Sequence, residues 1–518
     1  MTKTLILETC RKRCQTFTLY AFNVFLIFFI VGCDGRIKNY VQIDSLPIIF
    51  PDYTSLTIPY NIAPLNFNIE EKAEEYRVEI YSKKGKTIIL QQNSSNIQIP
   101  IEEWHKILES NKSQTLKIDV YSKRDKWYKY QTIIDTIASA PIDSTLVYRL
   151  LGIVHTEGDK MGIYQRKLDC YEQTILFENN TNPKTPCVNC HAFSNNQPEK
   201  MSMHVRKAYG GTVIFDHGKY IKYNTRTQQA IAPAAYTAWH PNGNLIAFSV
   251  NRLFVYFTSD ADKLVEVADQ VSDLVIFDIQ THTFSSSKNI CTTSRENLPN
   301  WSPDGKWLYY INAPFVTKNM SSWINSKYDL MRVGFDTDSM TWGKTDTLLT
   351  SEQTGKSITW PAVSQDGKYI VFCMIDHSYF SIFDKNSDLY LFNIDSRQYR
   401  KLDVLNSETT ESYHSWSSNG RWLTFSSKRL DEVSTRPFFS YFDSTGNFHK
   451  PFVLPQEDPM FYITDKYNFN MPVFVTGGIN INCSEFQKFI TENASEVHFD
   501  STVPIDTTGE FFGYSMSH

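Results

Sequence analysis

A ten-residue pattern recurs four times between residues 239 and 425 and constrains the fold more than any other feature. Each copy has a short apolar run, an Asn-Gly or Asp-Gly turn and a second apolar run, as in two antiparallel strands joined by a tight turn. The turn glycines are 62, 62 and 53 residues apart, and a third strand-like run follows each of the first three copies. A repeated antiparallel unit of about 55 residues is typical of one blade of a β-propeller. The four copies begin at Trp239, Trp301, Val363 and Trp416.

Weaker copies extend the repeat toward the N-terminus. Residues 192–204 align with it but lack the Asp-Gly turn, and strand-like runs at 210–215 and 219–224 would complete that blade. A further blade is indicated around 147–177. The pattern therefore predicts a propeller of about six blades, within a range of five to eight, over residues 141–478. Two segments near its C-terminal end, 450–456 and 467–472, are expected to close or strap the ring.

The second copy carries a specific resemblance. Residues 301–310 read W-S-P-D-G-K-W-L-Y-Y, which resembles the TolB-like propeller repeat W-S-P-D-G-K-x-[LI]-x-[FY]. His240, Gln365 and Ser418 depart from that repeat in the other copies. The resemblance covers residues from about 145 to 455 and implies a TolB-like β-propeller.

A smaller β-domain is predicted before the propeller. Within residues 51–140, apolar residues occupy every second position at 65–69, 76–81 and 116–121, as half-buried strands require. About seven short strands in this length favour a fibronectin- or immunoglobulin-like sandwich, interpreted as a spacer. The fold class is therefore all-β, with residues 33–50 as an extended tether. Residues 479–518 are predicted to form a short C-terminal appendage.

The N-terminus has the pattern of an exported lipoprotein. Basic residues at 11–13 precede an apolar run at 16–31 that is short for a membrane-spanning helix. The run ends in Ile30-Val31-Gly32-Cys33, which resembles a bacterial lipobox. We expect residues 1–32 to be a signal peptide and Cys33 to carry the lipid, which would anchor the protein to a membrane of the cell envelope, the outer membrane above all. The alternative is an uncleaved membrane anchor.

Residues 187–191 read C-V-N-C-H, the spacing used to attach a c-type haem. From the cysteine and histidine content, about 0.004 copies of this string are expected per chain by chance. One covalent haem c would be held by Cys187 and Cys190, with His191 as the proximal iron ligand. Because the motif begins an innermost blade strand, we expect His191 near the mouth of the central channel. Met201, Met203 and His204 are the candidates for the second axial ligand, with a place in the blade core as the alternative for the methionines.

Two other interpretations of the motif remain open. Cys187 and Cys190 could form a structural or redox disulfide, with His191 incidental. A zinc site could use both cysteines and His191 with His204 or Cys170 as a fourth ligand. The remaining cysteines at 291, 373 and 483 are too scattered to indicate a disulfide framework.

The composition and the absence of several known motifs disfavour particular classes of function. A formal net charge of −5 without a basic block disfavours a nucleic-acid partner. No P-loop, dinucleotide fingerprint or H-E-x-x-H is present. The string G-Y-S-M-S at 513–517 approaches the G-x-S-x-G of propeller-capped peptidases but leaves no room for the following helix, so peptidase activity is not expected. A non-enzymatic role is favoured over an enzymatic one.

The combined order of lipobox, sandwich, C-x-x-C-H and propeller resembles a lipoprotein family of the Bacteroidetes described as cytochrome c-related or TolB-like. That resemblance implies a membrane-anchored haem protein acting in electron transfer or in redox or ligand sensing, with a redox or envelope protein as partner. The alternative is a non-catalytic propeller that binds a protein or glycan, with a structural Cys187–Cys190 disulfide.

Overall fold

The structure is a computed structural model that describes residues 37–152, 161–179, 187–206, 209–225, 234–258, 263, 265–316 and 319–500. The predicted signal peptide, Cys33 and the Cys187 side chain lie outside the described part. The chain divides into two compact units, residues 1–41 and 42–518. The first is described only from residue 37 and contains the start of a short strand, Tyr40–Gln42. No helix within the described ranges is long and apolar enough to cross a membrane.

The second unit begins with the predicted β-sandwich. One sheet contains three short strands, and a larger sheet faces it across a core of aliphatic and aromatic side chains. One element was not predicted, the helix Ile101–Ser110, whose Trp104 is fully buried and donates from Nε1 to the Ile62 carbonyl at 3.0 Å. The strands of the small sheet are Ile49–Phe50, Phe67–Ile69 and Asn96–Ile97, and those of the larger sheet include Thr57–Pro59, Glu75–Tyr81, Ile88–Gln92, Thr115–Lys123, Trp127–Lys129 and Ile133–Ala138.

The β-sandwich includes residues that precede the predicted boundary at residue 51. Ile43 donates its backbone N–H to the Lys129 carbonyl at 2.8 Å, and Ile49–Phe50 pairs with Phe67–Ile69. Much of the stretch predicted as a tether is therefore held by backbone hydrogen bonds of the sandwich.

Six sheets with four antiparallel strands each follow in the described ranges, two of them extended by a fifth, short strand, which confirms the predicted all-β propeller. Blade 1 combines an innermost strand from the C-terminal region, Tyr467–Val475, with three strands from the start of the propeller, Thr145–Gly152, Met161–Lys167 and Gln173–Glu178. The ring is thus closed by strands from both ends of the sequence. The other blades, from innermost to outermost strand, are blade 2 with Cys187–Phe193, Lys200–Arg206, Gly211–Asp216 and Lys219–Asn224; blade 3 with Ala234–Trp239, Leu245–Phe257, Val265–Asp278 and Thr283–Ser285; blade 4 with Arg295–Trp301, Trp307–Ala313, Asp329–Asp336 and Thr341–Leu349; blade 5 with Ser357–Val363, Tyr369–Ile375, Asp388–Asn393 and Gln398–Lys401; and blade 6 with Glu411–Trp416, Trp422–Ser427, Arg436–Tyr441 and Phe452–Val453.

The Asx-Gly turns join the first and second strands of blades 3 to 6. Their glycines have φ between 65° and 72°, the left-handed region that a residue with a Cβ enters at a cost. All four turns therefore lie on one face of the propeller, which we call the turn face. The opposite end of each innermost strand lies at the face that we call the base.

The sandwich and the propeller pack directly against each other. The core cluster of the sandwich continues without interruption into blades 5, 6 and 1. Polar contacts support this packing, including Lys450 Nζ to Asp52 Oδ2 at 2.7 Å and Tyr53 OH to the Val453 carbonyl at 3.3 Å. The two domains therefore share one hydrophobic core and are not joined merely by a linker.

The C-terminal segment lies along the outer edge of two blades. The helix Cys483–Phe489 packs against blades 1 and 2, with Phe486 between Phe177 and Tyr220. Two short strands, Ser495–Glu496 and His498–Asp500, then add in parallel to the outermost strands of blades 2 and 3. The remaining short helices are Met320–Ile324, Ser351–Thr354 and Phe461–Thr464, with 3₁₀ turns at Ser194–Asn196 and Ser381–Phe383.

Candidate functional site

Each innermost strand is interrupted by a bulge at the same level of the central channel. The bulge shifts the pairing register with the second strand of the blade, and one non-glycine residue there adopts a left-handed conformation with φ between 45° and 54°. None of the six residues is β-branched, which fits a conformation that β-branched residues disfavour most. In blade order these residues, which we call the bulge ring, are Met471, Cys190, Tyr236, Leu298, Trp360 and Tyr413.

The side chains of the bulge ring meet across the channel. The Tyr236 and Trp360 rings lie 5.6 Å apart although they come from blades 3 and 5, and Trp360 lies 4.9 Å from Tyr413 of blade 6. Leu298 packs in the same apolar cluster as Tyr236 and Trp360. These contacts close the channel at its middle.

A long hairpin of blade 3 covers the base side of this closure. Val267, on the second strand of this hairpin, packs with Leu298 of the bulge ring. Near the hairpin tip, Lys263 forms ion pairs with Glu266 at 3.1 Å and with Asp384 of blade 5 at 3.3 Å. The hairpin therefore spans from blade 3 to blade 5 beneath the ring.

On the turn-face side of the bulge ring lies a cavity of about 140 Å³. Residues from all six innermost strands line it, including Cys190, His191, His414 and Met471. A wider cavity of about 290 Å³ continues toward the turn face and shares His191, His414 and Met471 with the inner one. Its further lining is neutral and polar or aromatic, with Asn195, Asn196, Gln365, Trp301 and Trp416 among the contributing residues.

The C-x-x-C-H motif runs from the base of blade 2 to this inner cavity. Cys187 begins the innermost strand, Cys190 is the blade 2 member of the bulge ring, and His191 lies one residue further. The Cys190 side chain is buried and its thiol is free. His191 lines both channel cavities and is buried at 2% exposure, whereas the sequence predicted a position near the mouth of the channel.

His191 is a neutral, poorly partnered imidazole. Burial, reinforced by the positive charge of Arg149, lowers the pKa of His191 to about 4. The backbone groups of Met471 and Val147 lie beside the ring and act in the opposite direction. Neither ring nitrogen reaches hydrogen-bonding geometry with a described residue, which is unusual for a polar group this deeply buried.

His414 of blade 6 occupies the same position as His191, one residue after the bulge. Its Nε2 lies 2.9 Å from the Val371 carbonyl of blade 5, and its Nδ1 lies 3.8 Å from Cys373 Sγ. Burial lowers the pKa of His414 to about 4 as well. Each of these histidines therefore lies against the preceding blade, but only His414 forms a good hydrogen bond there.

The predicted second axial ligands lie away from the cavity. Met201 and Met203 are fully buried in the apolar cluster between blades 1 and 2. Ser202 faces blade 3, where it accepts a hydrogen bond from Trp239 Nε1 at 3.2 Å. His204 is buried on the second strand of blade 2, opposite Asn189 in the register, and does not line either channel cavity described above.

The donor chemistry of the motif fits a c-type haem. Cys187, Cys190 with its free thiol and the buried imidazole of His191 all belong to one channel strand. The inner cavity is too small for a haem as it stands, because its 140 Å³ is well below the roughly 300–1,000 Å³ of pockets that hold drug-sized ligands. A macrocycle bound here would require the surrounding side chains to move apart.

The zinc alternative gains no support from the described side chains. Across the ranges that the structure describes, no three His, Cys, Asp or Glu side chains converge on a shared metal position. A zinc site would therefore depend on Cys187, whose side chain lies outside those ranges.

Sequence reasoning missed His414, Met471 and the rest of the bulge ring. A partial signal was present, because Tyr413-His414-Ser415-Trp416 aligns with Cys190-His191-Ala192-Phe193 when the repeats are superposed. The left-handed bulge itself has no residue signature that distinguishes it from an ordinary strand.

No protein-family model and no curated protein matches the chain at a significant level. Solved structures of similar fold include a TolB candidate from Agrobacterium tumefaciens, 14% identical over 64% of this chain and 89% of that one, with a TM-score of 0.31. An oligogalacturonate lyase in complex with manganese is 10% identical over 58% of this chain and 91% of that one, with a TM-score of 0.32. A puromycin hydrolase is 10% identical over 60% of this chain and 52% of that one, with a TM-score of 0.34. At this level of similarity the neighbours carry no argument about this chain.

Proposed function

We propose that the protein is a cell-envelope lipoprotein whose propeller carries one covalent haem c and acts in electron transfer or redox sensing. Cys187 and Cys190 would hold the haem, His191 would be the proximal ligand and Cys33 would carry the lipid anchor. The observation that carries the proposal is the position of C-x-x-C-H on a channel strand, with a free Cys190 thiol and a buried His191 that lacks a good hydrogen bond.

The residues around the motif suit that role in two ways. Burial keeps His191 neutral near pH 7, and a neutral imidazole is the form that binds a metal. The bulge ring closes the channel at its middle, so a group bound beside His191 would be reached from the turn face. A bound haem would supply a one-electron iron couple, tuned by its axial ligands and its burial.

The test is a pyridine haemochrome spectrum of the denatured protein, produced in a host that matures c-type cytochromes. We expect a haem c α-band that survives denaturation and is lost in Cys187→Ala/Cys190→Ala. Cys170→Ala/Cys483→Ala is the matched control, since it removes two cysteines outside the motif that are only partly buried. The band should remain in that control. Its absence from the unmodified protein, in a host that loads a reference cytochrome, would reject the haem proposal.

A second candidate function is a binding propeller without a cofactor. The observation that favours it is the close packing of the bulge ring, together with the equivalence of His191 and the purely structural His414. In that case a neutral protein or glycan segment would enter the 290 Å³ cavity at the turn face, whose lining is rich in amides and aromatic rings. A negative haemochrome result would leave this function as the working hypothesis.

A further inference from the structure

Two arginines flank the part of the motif that lies on the base side of the bulge ring. Arg149, on the second strand of blade 1, donates from Nη1 to Asn189 Oδ1, and Asn189 lies between the two motif cysteines. Arg206 ends the second strand of blade 2 and pairs directly with Cys187 in the register. Arg149 therefore contacts the middle of the motif, and Arg206 stands opposite its first residue.

Neither arginine is neutralised by the surrounding structure. Within the described ranges, no carboxylate forms an ion pair with either of them, and the Nε atom of each is buried without a hydrogen-bond partner. By contrast, the buried Arg436 has Asp465 at 2.6 Å, and Arg429 has Glu411 at 3.1 Å. Two partly buried cations without a counter-charge are costly, because burial weakens their hydration and each repels the other.

The two positive charges act on a common neighbourhood. Burial raises the pKa of Tyr413 in the bulge ring, and the guanidinium groups of Arg149 and Arg206 both oppose that rise, as charges close to the hydroxyl would. The Cys190 thiol acts on the same tyrosine. The arginines, Cys190 and Tyr413 are therefore near one another at the base side of the ring.

We propose that Arg149 and Arg206 form an anion-binding site beside the C-x-x-C-H motif, suited to carboxylate or phosphate groups. Arginine is well matched to such groups because its N–H donors can bind two oxygens side by side. The anion could be the pair of propionates of a haem attached at Cys187 and Cys190, or a free anionic ligand. Binding of the haem propionates rests on the proposed function, whereas the anion site itself does not.

The first arm of the test uses haem-free, full-length Cys187→Ala/Cys190→Ala protein and inorganic phosphate as the probe. We expect phosphate to raise the unfolding temperature, as any ligand of the native state does. Adding Arg149→Gln/Arg206→Gln should weaken phosphate binding at least tenfold, and Arg149→Lys/Arg206→Lys should retain most of it. Arg124→Gln/Arg397→Gln is the control, because it removes two exposed positive charges elsewhere and should leave the affinity unchanged.

The second arm compares iron protoporphyrin IX with its dimethyl ester on the same haem-free protein. The ester replaces each propionate carboxylate by an uncharged methyl ester and leaves the iron porphyrin unchanged. We expect the dicarboxylate to bind at least tenfold more tightly than the ester, and the difference to disappear in Arg149→Gln/Arg206→Gln. Arginine-dependent phosphate binding without this porphyrin difference supports the anion site with a free anion as its ligand.

The two proposals fail separately. If neither phosphate nor the porphyrin pair responds to the arginine substitutions while the variants remain folded by circular dichroism, the anion site is rejected, even when the haemochrome band is present. If the haemochrome band is absent but phosphate binding depends on the arginines, the haem proposal falls and the anion site stands.

Discussion

His191 and His414 occupy equivalent positions in blades 2 and 6 but have different neighbours. His414 lies against the Val371 carbonyl, whereas His191 makes no well-formed hydrogen bond with a described residue. Both are buried, and burial lowers the pKa of each to about 4. The difference in hydrogen bonding suits His414 to a structural role and, under the haem proposal, leaves His191 for a ligand.

A matched pair of substitutions tests this distinction. His414→Leu removes a buried hydrogen bond and leaves the Val371 carbonyl without that partner, which should cost about 1–3 kcal/mol of unfolding free energy. His191→Leu in the haem-free protein removes no comparable bond and should cost less. Urea unfolding at pH 7, followed by tryptophan fluorescence, measures both. An equal or larger loss for His191→Leu would show that His191 is a structural residue like His414.

The cost of His414→Leu should also depend on pH. The folded-state pKa of His414, about 4, lies below the value of about 6.5 for an unfolded chain. As pH falls from 6.5 to 4, the unfolded state therefore binds the proton first, and His414 progressively destabilises the native state. The difference in stability between wild type and His414→Leu should shrink by up to about 3 kcal/mol over that range.

The wild type must be compared with His414→Leu, because the titration of other buried groups stabilises the native state as pH falls. Burial raises the pKa of Asp135 to about 7 and that of Asp269 to about 6, so both favour the native state as pH falls. Their contributions are the same in wild type and in His414→Leu and cancel in the difference. A difference that stays constant between pH 6.5 and 4 would contradict the neutral buried state of His414.

At the scale of single elements, the strand–turn–strand repeat could be predicted because its signals are local. Apolar alternation defines the strands, and each Asx-Gly pair defines a turn that needs a positive φ. The helix Ile101–Ser110 was missed although its buried Trp104, Ile107 and Leu108 have helical spacing, because neighbouring strand patterns dominated the interpretation. The long blade 3 hairpin could not be predicted, since its reach across the channel depends on contacts with blade 5.

Two of the repeat turns differ in what surrounds the glycine. Gly305 and Gly367 have φ of 71° and 69°, so alanine at either position should cost about 1–2 kcal/mol from the backbone alone. A Cβ at Gly305 would also lie 2.3 Å from His240 Nε2, whereas nothing lies within 4 Å at Gly367. We therefore expect Gly305→Ala to cost about 1–3 kcal/mol more than Gly367→Ala in chemical denaturation. Equal costs would mean that the His240 ring moves aside freely.

The blade 3 hairpin is held beneath the bulge ring by a buried carboxylate. Asp269 accepts hydrogen bonds from Asn297 Nδ2 at 2.6 Å, Asn251 Nδ2 at 3.2 Å and Tyr328 OH at 3.2 Å. Asp269→Ala would leave these donors unsatisfied and should destabilise the protein by about 3–5 kcal/mol. The exposed Asp403→Ala serves as the control, with a change within about 0.5 kcal/mol. A loss below about 1 kcal/mol for Asp269→Ala would show that the hairpin does not depend on this network.

At the scale of the whole molecule, the sequence could predict the propeller and the place of the motif on an innermost strand, but not what the motif faces. The cavity neighbours of Cys190 and His191 include Met471 and His414, which come into reach only when Tyr467–Val475 joins blade 1 and closes the ring. That closure brings Met471 and His414 to the same cavity from positions more than 200 residues away. Contacts of this kind follow from ring geometry and leave no periodic signal in the chain.

The shared core of sandwich and propeller implies that the two domains unfold together. The fully buried Trp422 of blade 6 belongs to the same apolar cluster as Trp104 of the sandwich. Its Nε1 also donates to the Ala140 carbonyl at 3.4 Å, where the sandwich leads into the propeller. Opening either domain alone would expose part of this common core to water.

We therefore expect one calorimetric unfolding transition for residues 42–500, with equal calorimetric and van't Hoff enthalpies. Amides of the sandwich strand Ile133–Ala138 and of the blade 6 strand Trp422–Ser427 should exchange with the same opening free energy. Trp422→Ala, which should cost about 3–5 kcal/mol, should lower both protection levels together. Two separate transitions, or loss of protection in blade 6 alone, would show instead that the sandwich is an independent spacer, as the sequence had suggested.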